Sequence, residues 1–125
     1  MLPTIKVLAE RLPWPIRAAE WTDPTLLLTG DDWTLSITCS WRVVAPAGIA
    51  YGWSSADAED QVWDLVGREI QRVEPQGSVA YTDPRLVLSG GLGLELFSET
   101  ELDPWVLTVR SDLVIVGPLR RDDWT

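Results

Sequence analysis

The 125-residue chain has no histidine and no asparagine, and only one each of cysteine (Cys39), lysine (Lys6), phenylalanine (Phe97) and methionine (Met1). Each shortage removes a class of function. Without histidine there is no Ser-His-Asp or Cys-His nucleophile and no histidine-bearing zinc site. One cysteine forms no internal disulfide and no Cys-x-x-Cys motif, and Cys39, between Ile37 and Trp41, reads as a small buried hydrophobe. No apolar run approaches the roughly 18 residues of a membrane-spanning helix, and no basic stretch followed by an apolar one opens the chain as in a signal peptide. A cytoplasmic location is therefore expected. Basic residues number 10 against 19 acidic ones, a net charge of −9. That balance disfavours nucleic acid and anionic membranes as partners and suits a basic protein.

What is present is a duplication. Trp21-Thr22-Asp23-Pro24-Thr25-Leu26-Leu27-Leu28-Thr29-Gly30 returns sixty residues later as Tyr81-Thr82-Asp83-Pro84-Arg85-Leu86-Val87-Leu88-Ser89-Gly90, with six of ten positions identical. Each copy reads as strand, turn, strand. The residue before proline is pushed out of the helical region, and aspartate there can hydrogen-bond its own backbone. The apolar runs Leu26–Thr29 and Leu86–Ser89 are then short buried strands. After Gly30 apolar residues alternate strictly from Trp33 to Trp41, the period of a half-buried strand. In the second copy Leu92, Leu94 and Leu96 alternate with Gly93, Glu95 and Phe97. Reading Gly30-Asp31-Asp32 as a three-residue hairpin loop and Gly90-Gly91 as a two-residue one sets Leu27 opposite Leu35 and Val87 opposite Leu94.

Around these copies, residues 1–13 fit either a helical stripe or an edge strand, stopped by Pro13 and Pro15. Trp41 to Val44 extends the third strand until Pro46, and Ala47 to Ser54 is a loop. One helix is expected over about 55–66, with a capping-box-like start at Ser54 and Asp57, Gly67 as its stop, and Ala58, Val62, Leu65 and Val66 as its apolar stripe. Trp105, Leu107 and Val109 alternate on a further strand, and Leu113–Val116 is an apolar one. A three-stranded unit cannot bury its apolar face alone. The expected fold is thus a mainly β (α+β) single domain, residues 1–125. Two duplicated antiparallel meanders, about 14–44 and 68–110, pack as a small sandwich or partly open barrel with the helix between them.

The Leu-x-x-Gly strands, the Leu-x-Leu strand into a turn, Pro104-Trp105-Val106-Leu107 and the apolar strand ending Gly117-Pro118 resemble a group of small β-rich actinobacterial proteins of unknown function, over about residues 20–118. The resemblance implies the β-rich fold and carries no site residues.

Carboxylates are the main remaining chemical resource. Asp57, Asp60 and Asp64 share a helix face, Asp31 and Asp32 occupy a hairpin tip, and Glu99, Glu101 and Asp103 lie in a loop; none follows a calcium-loop pattern. Gly90-Gly91-Leu92-Gly93 leads into a strand with no lysine, so it is a turn and not a phosphate cradle. No catalytic, metal or cofactor residue emerges. The leading expectation is a non-enzymatic acidic interaction domain, such as an immunity or inhibitor protein masking a basic partner. Asp31, Asp32, Glu99 and Glu101 would steer the partner, and Tyr51 and Trp53 would anchor it. The alternatives are a self-assembling structural subunit forming a homo-oligomer, and, further off, a carboxylate enzyme or cation or small-ligand binder.

Overall fold

The alternation after Gly30 becomes a strand, β4 (Trp33–Ile37), whose Trp33, Leu35 and Ile37 are buried while Thr34 faces solvent. It belongs to a computed structural model describing residues 4–76, 83–98, 104–110 and 112–124. A short helix, α1 (Thr4–Ala9), opens the described chain, followed by β1 (Trp14–Pro15), β2 (Ala18–Thr22) and β3 (Thr25–Thr29). After β4 come β5 (Ser40–Ala45), β6 (Gly48–Gly52), α2 (Ala58–Gln61) with a 3-10 turn over Val62–Leu65, and β7 (Glu69–Pro75). The chain continues through β8 (Pro84–Leu88), β9 (Gly93–Phe97), β10 (Trp105–Val109), β11 (Leu113–Val116) and a 3-10 turn, Arg121–Asp123.

The strands form two antiparallel sheets that pack as a sandwich and not as a closed barrel. One has the order β1-β7-β8-β9-β5-β6, the other β11-β10-β4-β3-β2. The two meanders, β2-β3-β4 and β7-β8-β9, lie in different sheets as the duplication requires. Each unit is longer than its sequence signature. After its third strand each chain segment crosses over and adds a hairpin to the sheet begun by the other unit: β5-β6 joins β9, and β10-β11 joins β4. Trp41 and Trp105 occupy matching places on these exchanged strands, opposite Leu96 and Ile37.

This exchange corrects the expectation that Trp41–Val44 simply prolongs the third strand. The apolar alternation does run unbroken from Trp33 to Trp41. The chain nevertheless leaves the sheet at Thr38-Cys39, where both backbone N–H groups donate to the Pro104 carbonyl at 2.9 and 3.2 Å. One carbonyl thus ties the first crossover to the start of β10. Cys39 is consequently half-buried rather than fully enclosed.

Three further expectations change. The 47–54 loop contains β6, and Tyr51 on it is inward-facing, only 8% exposed. The helix over 55–66 is one short α-helical segment plus a 3-10 turn, with Asp57 as N-cap making no side-chain cap hydrogen bond. Its stripe is as read: Ala58, Val62 and Leu65 are buried. Finally, Leu28 pairs with Leu35 and Leu86 with Leu94, so both registers stand one residue from those expected. Gly30 donates to the Trp33 carbonyl around a two-residue Asp31-Asp32 turn. Leu88 donates to the Leu92 carbonyl across Ser89-Gly90-Gly91, where both glycines take positive φ, 83° and 81°. The longer loop is therefore in the second copy. Between the copies the register differs by two: Leu26 faces Ile37, whereas its counterpart Leu86 faces Leu94, the counterpart of Leu35. A shift of two keeps each leucine on its own face, which a shift of one would not.

Tryptophans bridge the layers. Trp41 meets Trp21 edge-on at 5.4 Å and Tyr51 at 6.2 Å, and Trp14 on β1 stacks with Trp33 on β4 at 5.8 Å. With Leu26, Leu28, Leu94 and Leu96 they form one continuous core.

Candidate protein-interaction surface

The expected steering residues Asp31 and Asp32 form the exposed β3–β4 turn. They border a cleft of about 490 Å³ that is also lined by Glu10, Arg11, Arg110 and Asp112, with Trp14 and Trp33 in its wall. Arginines partly answer the acids: Arg17 lies 3.4 Å from Asp31, Arg110 3.9 Å from Asp32 and Arg11 3.3 Å from Asp112. Exposed pairs of this kind hold weakly and exchange readily with an incoming charge.

The expected anchors lie elsewhere. Trp53 donates its backbone N–H to the Trp41 carbonyl at 3.1 Å, just past the crossover, whereas Asp31-Asp32 precede the opposite end of β4. The five residues of β4 (on the order of 17 Å) separate the Asp31-Asp32 turn from the crossover, and Trp53 lies beyond that crossover beside the other sheet. Tyr51 belongs to the core, its hydroxyl without a protein hydrogen-bond partner among the described residues. Burial, with a further push from the Asp64 charge against a smaller opposing pull from Arg68, raises its phenol from the ordinary value near 10 to about 12. Glu99 and Glu101 lie outside the described residues.

The structure gathers aromatic and acidic side chains in a segment that sequence reasoning divided. Trp53 is 50% exposed and Trp63 65%. Between and beside them Asp57, Glu59, Asp60 and Asp64 all face solvent. The cause is local: Ala58, Val62 and Leu65 are consumed by packing against the sandwich, which turns Trp63 and the acids outward. Asp64 is answered by Arg68 at 3.0 Å. The outward position of Trp63 was legible from its place beside the apolar stripe.

A second constellation, absent from the sequence reading, crosses the outer face of the β5-containing sheet. Arg42, Glu95, Arg85 and Glu74 stand directly opposite one another on β5, β9, β8 and β7. Glu95 is 2% exposed. It accepts from Arg42 Nε at 2.6 Å and from Arg85 Nε and Nη2 at 2.8 and 2.5 Å, while Glu74 lies 3.7 Å from Arg85. Burial alone would raise the Glu95 carboxyl; hydrogen bonds and charge from the two arginines outweigh it and hold the group below the usual glutamate range. Gly93 gives Arg85 room to lie flat, since a Cβ there would stand 3.3 Å from Arg85 Cδ. Arg42 also covers the Phe97 ring at 4.9 Å. The arrangement is a charge ladder locking four strands.

Among the described residues no three histidine, cysteine, aspartate or glutamate side chains converge as a metal-holding group, and no helix is long and apolar enough to cross a membrane. Among the described residues, a void lined by Trp14, Leu35, Ile70, Leu96 and Leu107 between the sheets measures about 20 Å³, too small for an organic ligand. No protein-family model, curated protein or solved structure matches this chain.

Proposed function

We propose that this protein is a non-enzymatic interaction domain that captures a basic protein, as an immunity or inhibitor protein would. The observation that carries the reading is the exposed pair Trp53 and Trp63 set among four acids on residues 53–64. Tryptophans supply much of the energy at protein interfaces, and surrounding carboxylates steer and orient a basic partner. The acidic turn Asp31-Asp32 adds a second negative point at the other end of β4, so a partner spanning both would be held over an extended surface. The absence of histidine from the whole chain supports a binding role over acid–base catalysis near neutral pH.

The test is affinity capture from the native cytosol with this protein as bait, washed first at low and then at high salt. A basic protein retained at low salt and released at high salt supports capture through charge. Recovery of bait alone, or of a partner indifferent to salt, contradicts it.

A further inference from the structure

Sheet edges are sites where another strand can add, and folded proteins usually guard them. Among the described residues this sandwich has four, and three are guarded. β2 is packed by the 3-10 turn Val62–Leu65 and carries Glu20. β1 is two residues long, includes Pro15 and follows Pro13. β6 is bent away by a register shift between Val43 and Val44 and begins at Gly48 with φ 134°. The fourth, β11, is Leu-Val-Ile-Val: uncharged, without proline, and in unbroken register with β10 from Leu113–Val109 to Val116–Val106.

The hydrogen-bond phase of β11 fixes what it can accept. Gly117 donates to the Trp105 carbonyl at 2.9 Å, and in an antiparallel ladder such bonded pairs recur every second residue. Ile115 and Leu113 therefore also direct their backbone groups toward β10. Val114 and Val116 direct theirs toward the open edge. Their side chains stand on the outer face, 59% and 42% exposed. Behind them Val106 and Thr108 on β10 and Ser36 and Thr34 on β4 continue that face without a charge.

We propose that β11 pairs with β11 of a second copy, antiparallel, about a two-fold axis through Ile115. Only a register that keeps outer residues facing outer residues satisfies the pleat. With Ile115 opposite its own copy, Val114 stands opposite Val116 at both ends of the pair. These are the residues whose N–H and C=O groups point outward, so the pairing closes four backbone hydrogen bonds and joins the two five-stranded sheets into one of ten strands. The strand's own sequence favours this occupant, because Val114 and Val116 stand symmetrically about Ile115, and charge leaves a second copy one way in. Two chains of net charge −9 repel over most of their surfaces, and β11 with its backing is an uncharged approach. The contact is small, in the range of weak and reversible interfaces, so a dissociation constant on the order of 10–100 μM is expected.

Sedimentation equilibrium over about 5 μM to about 1 mM tests the proposal. The average mass rises from 14.0 kDa toward twice that value as concentration increases. Added salt strengthens the association by screening the like charges, the opposite of its effect on a captured basic partner. Val114→Pro removes an outward N–H while sparing the β10 ladder, and Val116→Lys places a charge on the exposed side of the strand; both remain at 14.0 kDa. Val116→Lys keeps the test open if Val114→Pro does not fold. Ile49→Lys, on the guarded edge β6, dimerises like the parent. The proposal is overturned by a parent protein monomeric throughout, by a dimer surviving in a folded Val116→Lys variant, or by a dimer abolished in Ile49→Lys.

Discussion

Replacing Glu95 by glutamine tests whether the charge ladder holds the β5-containing sheet together. Glutamine keeps the shape and removes the charge, leaving Arg42 and Arg85 facing each other across a neutral amide. Breaking a fully buried ion pair by neutralising one member costs about 3–5 kcal/mol. Both guanidiniums are partly exposed and regain water, so the expected loss is smaller, about 1–3 kcal/mol. For a chain of this length that lowers the melting temperature by roughly 4–12 °C. The pH dependence supplies a sharper signature. Because the folded-state carboxyl is held below its unfolded value, it titrates at lower pH in the fold than in the unfolded chain. Its stabilisation is complete above the ordinary glutamate range near 4.3 and drains away as pH falls through the depressed folded value. The parent and Glu95→Gln should therefore differ most at neutral pH and converge in acid, where the parent's carboxyl is itself protonated. Urea unfolding across pH 3 to 7 measures this. A difference under about 0.5 kcal/mol at pH 7, or one that does not shrink in acid, refutes the reasoning.

Two further outcomes follow from the packing. Tyr51→Phe removes a buried hydroxyl with no protein partner among the described residues, so stability at pH 7 should be unchanged or rise by up to about 1 kcal/mol in urea unfolding, and a loss above 1 kcal/mol would reveal a partner the hydroxyl depends on. Because each unit's β5-β6 or β10-β11 hairpin completes the sheet of the other, fragments 1–66 and 67–125 should be unfolded alone and regain β-sheet circular dichroism when mixed; a cooperatively folded single fragment would contradict the exchange.

The parts of the fold legible in the sequence are those governed by local periodicity. Alternation on β4, the Asp23-Pro24 turn of the first copy and the repeated leucines determine which residues face inward, and a two-residue register difference leaves those faces unchanged; in the second copy β7 and β8 pair as far as Pro75 and Pro84, so Asp83 ends a longer connection and not a two-residue turn. The crossover at Thr38-Cys39 was hidden because the alternation continues through it; the cause is a hydrogen-bond acceptor, Pro104, distant in the chain. Glu95 was equally hidden. Its neighbours Leu94 and Leu96 mark a half-exposed strand, and only the arginines laid over it from β5 and β8 bury the second face. The matching row of the other sheet, Val106 and Ser36, carries no such charges, so the duplication announces the core and is silent about the surface. Tyr51 reads as an exposed anchor when its stretch is taken for a loop, and as core once β6 gives it a partner strand.

The central claim is that Trp53 and Trp63, with the acids around them, form the surface that takes a partner. Capture from the native cytosol should be run side by side with the parent and with a Trp53→Ala/Trp63→Ala bait, both checked for equal stability. The account predicts a basic protein that the parent retains at low salt and the double variant does not. Equal recovery by both baits would mean that the partner binds elsewhere, and the assignment of residues 53–64 would be wrong.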